Sequence, residues 1–66
     1  MTHTLRWIAI VDADTRPPNG VLVDTKIEDE DGRRLEQPLR REGNLYWNKV
    51  GSMYVYYTPT HWRPRP

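Results

Sequence analysis

The sequence predicts an all-β fold: a small four- to five-stranded antiparallel meander curled into a partial barrel. Three observations carry that expectation. Short runs of aromatic and β-branched residues recur along the chain, most clearly at Met53-Tyr54-Val55-Tyr56-Tyr57, and such residues suit a pleated surface. Turn signals separate these runs at close spacing, at Asn19-Gly20, Asp31-Gly32, Gly43-Asn44 and Gly51-Ser52. Leu35 and Leu39 lie four apart, as on a helix, but Gly32 and Pro38 stand in or beside that stretch and argue against one.

Taken in order, residues 5–11 form a first strand, with Leu5, Trp7, Ala9 and Val11 on one face and Ile8 and Ile10 on the other. An almost unbroken apolar run of this kind implies that both faces are covered. Residues 12–20 form a loop that ends in a proline pair and an Asn-Gly turn. Residues 21–27 alternate, placing Val21, Val23, Thr25 and Ile27 inward and Asp24 and Lys26 outward. The crowded carboxylates of residues 28–31 suit a solvated hairpin turn at Asp31-Gly32. They lack the twelve-residue spacing of a calcium loop.

Residues 33–41 return as a strand. Pro38 cannot donate to a ladder, so this strand is expected at an edge or with a bulge. The alternative is a four-stranded sheet in which this stretch is irregular. Leu45 and Trp47 face inward on a short fourth strand, and Met53–Tyr57 closes the sheet as a fifth. Beyond Pro59, Trp62 is read as a clasp folded back on Trp7 or Trp47, because a large ring left in water is unfavourable. The final Arg63-Pro64-Arg65-Pro66 reads as a basic polyproline-prone tail.

The chain forms one domain over residues 1–66, and a chain this short buries only about 60% of its unfolded surface, so its large side chains matter most. It has no cysteine, which excludes disulfides and thiolate metal sites and fits a reducing compartment. His3 and His61 are too few for a zinc site, and no metal or cofactor is expected. No run approaches the roughly 18 apolar residues of a membrane span. The N-terminal residues lack the pattern of a signal peptide. A soluble, intracellular chain is expected.

Charge is segregated. Residues 1–31 carry three Lys/Arg against seven Asp/Glu, and residues 32–66 carry seven against two. Such asymmetry can mark a nucleic-acid or acidic-partner surface. The simpler reading is that acidic and basic strands face one another across a hairpin.

Enzymatic chemistry finds no support. Ser52 is the sole serine and has neither a histidine nearby in sequence nor a nucleophile-elbow pattern. The four glycines are isolated turn residues rather than a phosphate loop. His61 beside Trp62 could act as a base, but a histidine that hydrogen-bonds the backbone and fixes the tail is the commoner arrangement. No catalytic residue is assigned. Binding is the better reading. If Val55 is buried, Tyr54 and Tyr56 face outward, and paired exposed tyrosines make good interface anchors. Arg40 and Arg41 on a neighbouring strand would rim that patch and steer an acidic partner. The alternative is a nucleic-acid surface, in which Tyr46, Trp47, Tyr54, Tyr56 and Tyr57 stack bases beside the arginines.

Four landmarks form a wider pattern: Trp7-Ile8, Pro18-x-Gly20 before Val21-Leu22-Val23, the pair Tyr46-Trp47, and the closing Thr60-His61-Trp62-Arg63-Pro64-Arg65-Pro66. The pattern resembles a small phage and prophage family, domain of unknown function five-five-one, from Trp7 onward. That family closes with Thr-His-Trp-Met-Pro-Leu-Pro, and here Arg63 and Arg65 stand in place of its apolar residues. The family has no established activity, so no residue role is carried over. The resemblance implies a phage or prophage accessory protein in the bacterial host cytoplasm. Together with the small size, the lack of catalytic residues, the outward tyrosines and the polarised charge, it makes a host protein the expected partner, an anti-CRISPR-like inhibition of a defence complex being the most concrete form.

Overall fold

A computed structural model describes residues 6–65. His3, Leu5 and Pro66, which figured in the expectations above, lie outside the described residues.

The described chain is all-β. Its strands are β1 (Ile8–Ala9), β2 (Leu22–Asp29), β3 (Gly32–Glu42), β4 (Leu45–Trp47) and β5 (His61–Pro64), with one 3₁₀ turn at Ala13–Thr15. All pairings are antiparallel and form a single sheet in the order β1-β5-β2-β3-β4. Strands β2, β3 and β4 form the expected meander. The sheet stays open rather than closing into a barrel, and β5, the chain's end, is inserted between β1 and β2.

Residues opposite each other across a ladder share a face. Register places Val23 opposite Leu39, Thr25 opposite Gln37 and Trp62, and Arg41 opposite Tyr46. These positions define the core face. Val23, Thr25, Leu39 and Tyr46 are essentially inaccessible there, and Ile27 is nearly so. Two crossing segments close this face. The loop after β1 contributes the buried Pro17, and the segment before β5 contributes the buried Pro59. Hydrogen bonds fasten both to the sheet: Trp62 Nε1 donates to the Thr15 carbonyl at 2.7 Å, Arg41 Nε to the Pro17 carbonyl at 2.8 Å, and Gln37 Nε2 to the Tyr57 hydroxyl.

The opposite face is covered as well. Lys26, expected outward, is 4% exposed. The Trp7 ring roofs it, with Lys26 Nζ 4.5 Å and the Arg63 guanidinium 4.3 Å from the ring centroid. Glu28 supplies the counter-charge through a direct hydrogen bond. The two-residue period therefore placed Lys26 on the correct face, but at Lys26 that face is roofed by Trp7 and closed to water.

Strand β3 is bulged, as Pro38 suggested. Its register against β2 shifts between Thr25 and Ile27, so that Leu35 and Glu36 together oppose Lys26. Leu35 takes φ +54°, the left-handed region that is costly for a branched side chain. It is consequently half-exposed rather than sharing Leu39's burial. Around Pro38, β3 has β2 alone as a partner, since β4 reaches only as far as Arg40. The proline thus sits in an edge-like stretch of an otherwise interior strand.

Four further expectations are corrected. Val21 is exposed, because β2 begins one residue later, after the turn in which its amide bonds Pro18. On β4 the buried residue is Tyr46, with Leu45 exposed: the two-residue Gly43-Asn44 turn sets a register that puts Tyr46 opposite Arg41 on the core face. The strand over residues 53–57 reduces to a single bridge between Tyr54 and Trp47, flanked by one backbone bond to Tyr46 of β4 and one from Asn48 just beyond it, and Met53 is exposed. The tail is not a free polyproline segment, because His61–Pro64 is an interior strand. Pro64 occupies its last position, where a missing donor is tolerated.

The Trp62 clasp takes a different form from the one expected. The ring is half-buried, standing in register between Ile8 and Thr25 and bonded to Thr15. No ring pair joins it to Trp7 or Trp47 among the described residues. Trp62→Phe removes the indole donor and part of the ring but keeps an aromatic at the site, and should cost about 1 kcal/mol. Trp62→Ala removes the ring as well and should cost about 3 kcal/mol, a large share of the roughly 3–10 kcal/mol available to a chain of this length. Urea unfolding of the two variants checks the ranking; equal midpoints would contradict it.

Candidate partner-binding surface

Arg40 and Trp47 pair across β3 and β4, and Trp47 bridges Tyr54, so all three share the face opposite the core. The Tyr54 ring meets Trp47 edge-on at a centroid distance of 5.4 Å, and Tyr56 meets Tyr54 with the same geometry. The result is a ladder of three aromatic rings, each in the arrangement that ring quadrupoles favour. Tyr54 is 39% and Tyr56 90% exposed. Leu45, Val50 and Met53 are also exposed, which extends the ladder into an apolar strip along residues 45–56. Val55, between the tyrosines, is half-buried and donates its amide to the Tyr46 carbonyl at 2.8 Å.

The structure brings Arg40 to this strip. Its Nε lies 3.7 Å from Glu42 Oε1, too far for a hydrogen bond, and is buried without a partner. The Asn48–Ser52 turn crosses its other end. Gly51 takes φ +77°, and a Cβ added there would come within 2.7 Å of Arg40 Nη2. Asn48 stiffens that turn by accepting from the Ser52 amide and donating to its hydroxyl.

Arg41 does not rim the strip. Alternation turns it to the core face, where its guanidinium donates to the carbonyls of Pro17 and Gly43. It fastens the first loop to the β3–β4 turn.

The remaining charges largely answer one another. Arg34 holds Asp29 through both oxygens, Arg33 lies beside Glu28, and Arg63 and Arg65 both approach Asp24. The acidic half of the sequence faces the basic half across β2, β3 and β5. Hydrogen bonding from Lys26, and then its charge, holds the Glu28 carboxyl below its ordinary range. Asp29 is lowered by the Arg34 hydrogen bond and by the Asp31 amide.

His61 places its Nδ1 2.7 Å from the Thr60 hydroxyl, which also accepts the Glu28 amide. The imidazole thus belongs to the anchoring of β5. Among the described residues, no group of three His, Cys, Asp or Glu side chains converges as a metal site. Among those residues, too, no helix is long and apolar enough to cross a membrane.

One feature of interest escaped the sequence reading. Tyr46 is 2% exposed, and its buried hydroxyl has no hydrogen-bond partner. Burial pushes its pKa up, while the charges of Arg41 and Arg16 pull it down by less. A cleft of about 280 Å³ lies beside it, lined by Ile10, Arg16, Gly43, Asn44, Tyr46 and Thr58. No local motif marks this cleft, because its walls come from four separate stretches.

Compared with protein-family models, curated proteins and solved structures, the chain matches none.

Glu28 and Asp29 are both lowered in the folded state, so their contribution to stability is present above the ordinary carboxylate pKa of about 4 and is lost as pH falls below it. The melting temperature should therefore drop on acidification through that range. Glu28→Gln should flatten part of the drop and Asp29→Asn another part. Thermal melts from pH 7 to pH 2.5 check this, and an unchanged slope in both variants would contradict it.

Proposed function

We propose that the chain is a non-enzymatic binding module that engages another protein through the Trp47–Tyr54–Tyr56 strip. The observation that carries this reading is the exposed aromatic ladder itself. Two tyrosines and a tryptophan held edge to edge at the margin of a sheet offer wide, rigid, amphipathic contact area at small entropic cost. Arg40 lies behind the ladder under the Gly51 turn, with Glu42 at 3.7 Å, so the pull it exerts on an acidic partner is reduced by that carboxylate. The phage context, a host bacterial protein as target and the inhibition of a defence complex form the outer part of the proposal. They are supported by the closing residues Thr60–Pro66 and their resemblance to the phage family.

The nucleic-acid reading has weaker support. Arg33, Arg34, Arg40, Arg63 and Arg65 each lie within ion-pair distance of a carboxylate, which reduces the free positive charge available to phosphates. Labelled single- and double-stranded oligonucleotides titrated at low and moderate salt would test it. Tight binding that weakens steeply with salt would favour the nucleic-acid reading over protein binding.

Tyr54→Ala combined with Tyr56→Ala should leave the melting temperature within a degree or two. It should weaken binding of a partner captured from nuclease-treated bacterial lysate by at least about 2 kcal/mol, roughly thirtyfold. Undiminished binding by the double variant would refute the strip as the interface. A lowered melting temperature would show that the rings serve the fold.

A further inference from the structure

The cleft beside Tyr46 lies on the core side of the sheet, away from the aromatic strip, and has its own chemistry. Its polar lining is rich in donors. Arg16 spends one guanidinium nitrogen on the Asn44 side-chain carbonyl at 3.1 Å and keeps its other N–H groups. That bond orients Asn44 so that its amide nitrogen remains a donor. Thr58 adds an exposed hydroxyl. The Tyr46 hydroxyl is sealed behind the wall, without a hydrogen-bond partner among the described residues. No carboxylate lines the cleft.

Behind the wall, Arg41 adds a second guanidinium, two of whose nitrogens are already held by backbone carbonyls. Its charge and that of Arg16 both reach the Tyr46 hydroxyl. A site with two cations, several free donors and no acid is electrostatically complementary to an anion, and a small volume with partial enclosure keeps such attraction from being fully screened. Ile10 and the Tyr46 ring supply an apolar wall.

We infer that this cleft binds a small oxyanion, a carboxylate or phosphate group held by Arg16, the Asn44 amide and the Thr58 hydroxyl. About 280 Å³ lies at the lower limit of ligand pockets, so the molecule is a small one. The site is independent of the proposed protein-binding strip and can fail or stand without it.

The test is a titration of the ¹⁵N-labelled protein followed by amide and side-chain shifts, with sodium benzoate in one arm and inorganic phosphate in the other at constant ionic strength. Saturable shifts confined to Arg16, Gly43, Asn44 and Thr58 are expected in at least one arm, and the stronger arm assigns the source of the oxyanion. Arg16→Gln should weaken that binding at least tenfold. Tyr46→Phe, which removes only the sealed hydroxyl, should leave that binding unchanged and the free protein as stable as before or more so. No saturable shift in either arm, shifts spread evenly over the arginines, or equal affinity in Arg16→Gln would overturn the inference.

Discussion

The fold depends on the insertion of the last strand between the first and second. Strand β1 has no other partner in the sheet, so without β5 its two residues have no ladder. Thr60, just before β5, carries much of the junction: its amide bonds the Lys26 carbonyl, its carbonyl accepts the Ile10 amide, and its hydroxyl accepts the Glu28 amide. One residue thus ties three segments that are far apart in sequence. The β2–β3 and β3–β4 hairpins close through two-residue turns, whereas the β1–β5 pairing closes over some fifty residues. Closure of a longer loop costs more conformational entropy. The sheet's weakest entropic link is therefore the one that its opposite termini must make together.

The charge segregation follows from the same topology. Acidic β2 lies between β3 and β5, which carry five of the ten basic residues, so the alternating neighbours of one strand neutralise it from both sides. Exposed pairs of this kind contribute little each. Their value lies more in register than in energy. A slip of one residue between β2 and β3 would turn Arg33 and Arg34 away from Glu28 and Asp29.

Much of this was legible in the sequence, and the exceptions have physical causes. Turn chemistry marked the hairpins at Gly32 and Gly43, and alternation marked Val23, Thr25 and Ile27 as core. The exposure of Tyr54 and Tyr56 was also legible. The reduction of the expected strand at Met53–Tyr57 to a single bridge was not, because β-propensity measures fit to a pleated surface and cannot say whether a partner strand is there to complete it. The strand at His61–Pro64 was hidden for the converse reason. Histidine, arginine and proline are poor strand formers, and only two flanking partners make the segment one. Arg41's inward turn and the cleft at Tyr46 depend on register across β3 and β4, which no window along the chain encodes.

The two faces divide the chain's work. On the core face, a leucine, a valine, a threonine and a tyrosine are sealed by two proline-bearing crossings, which is as much core as so short a chain can enclose. On the other face, Trp7 roofs only the β5–β2 side, where Lys26 and Arg63 stack against it. Nothing among the described residues extends that roof over Trp47, Tyr54 and Tyr56. The bulge at Leu35 contributes to this division: its extra residue bends β3 and increases the local twist, so the two halves of the sheet need not share one cover. A half-roofed sheet of this size is stable only if its uncovered side is built from residues that tolerate water. Tyrosine, with an apolar ring and a polar tip, meets that requirement and still leaves an aromatic surface for a partner.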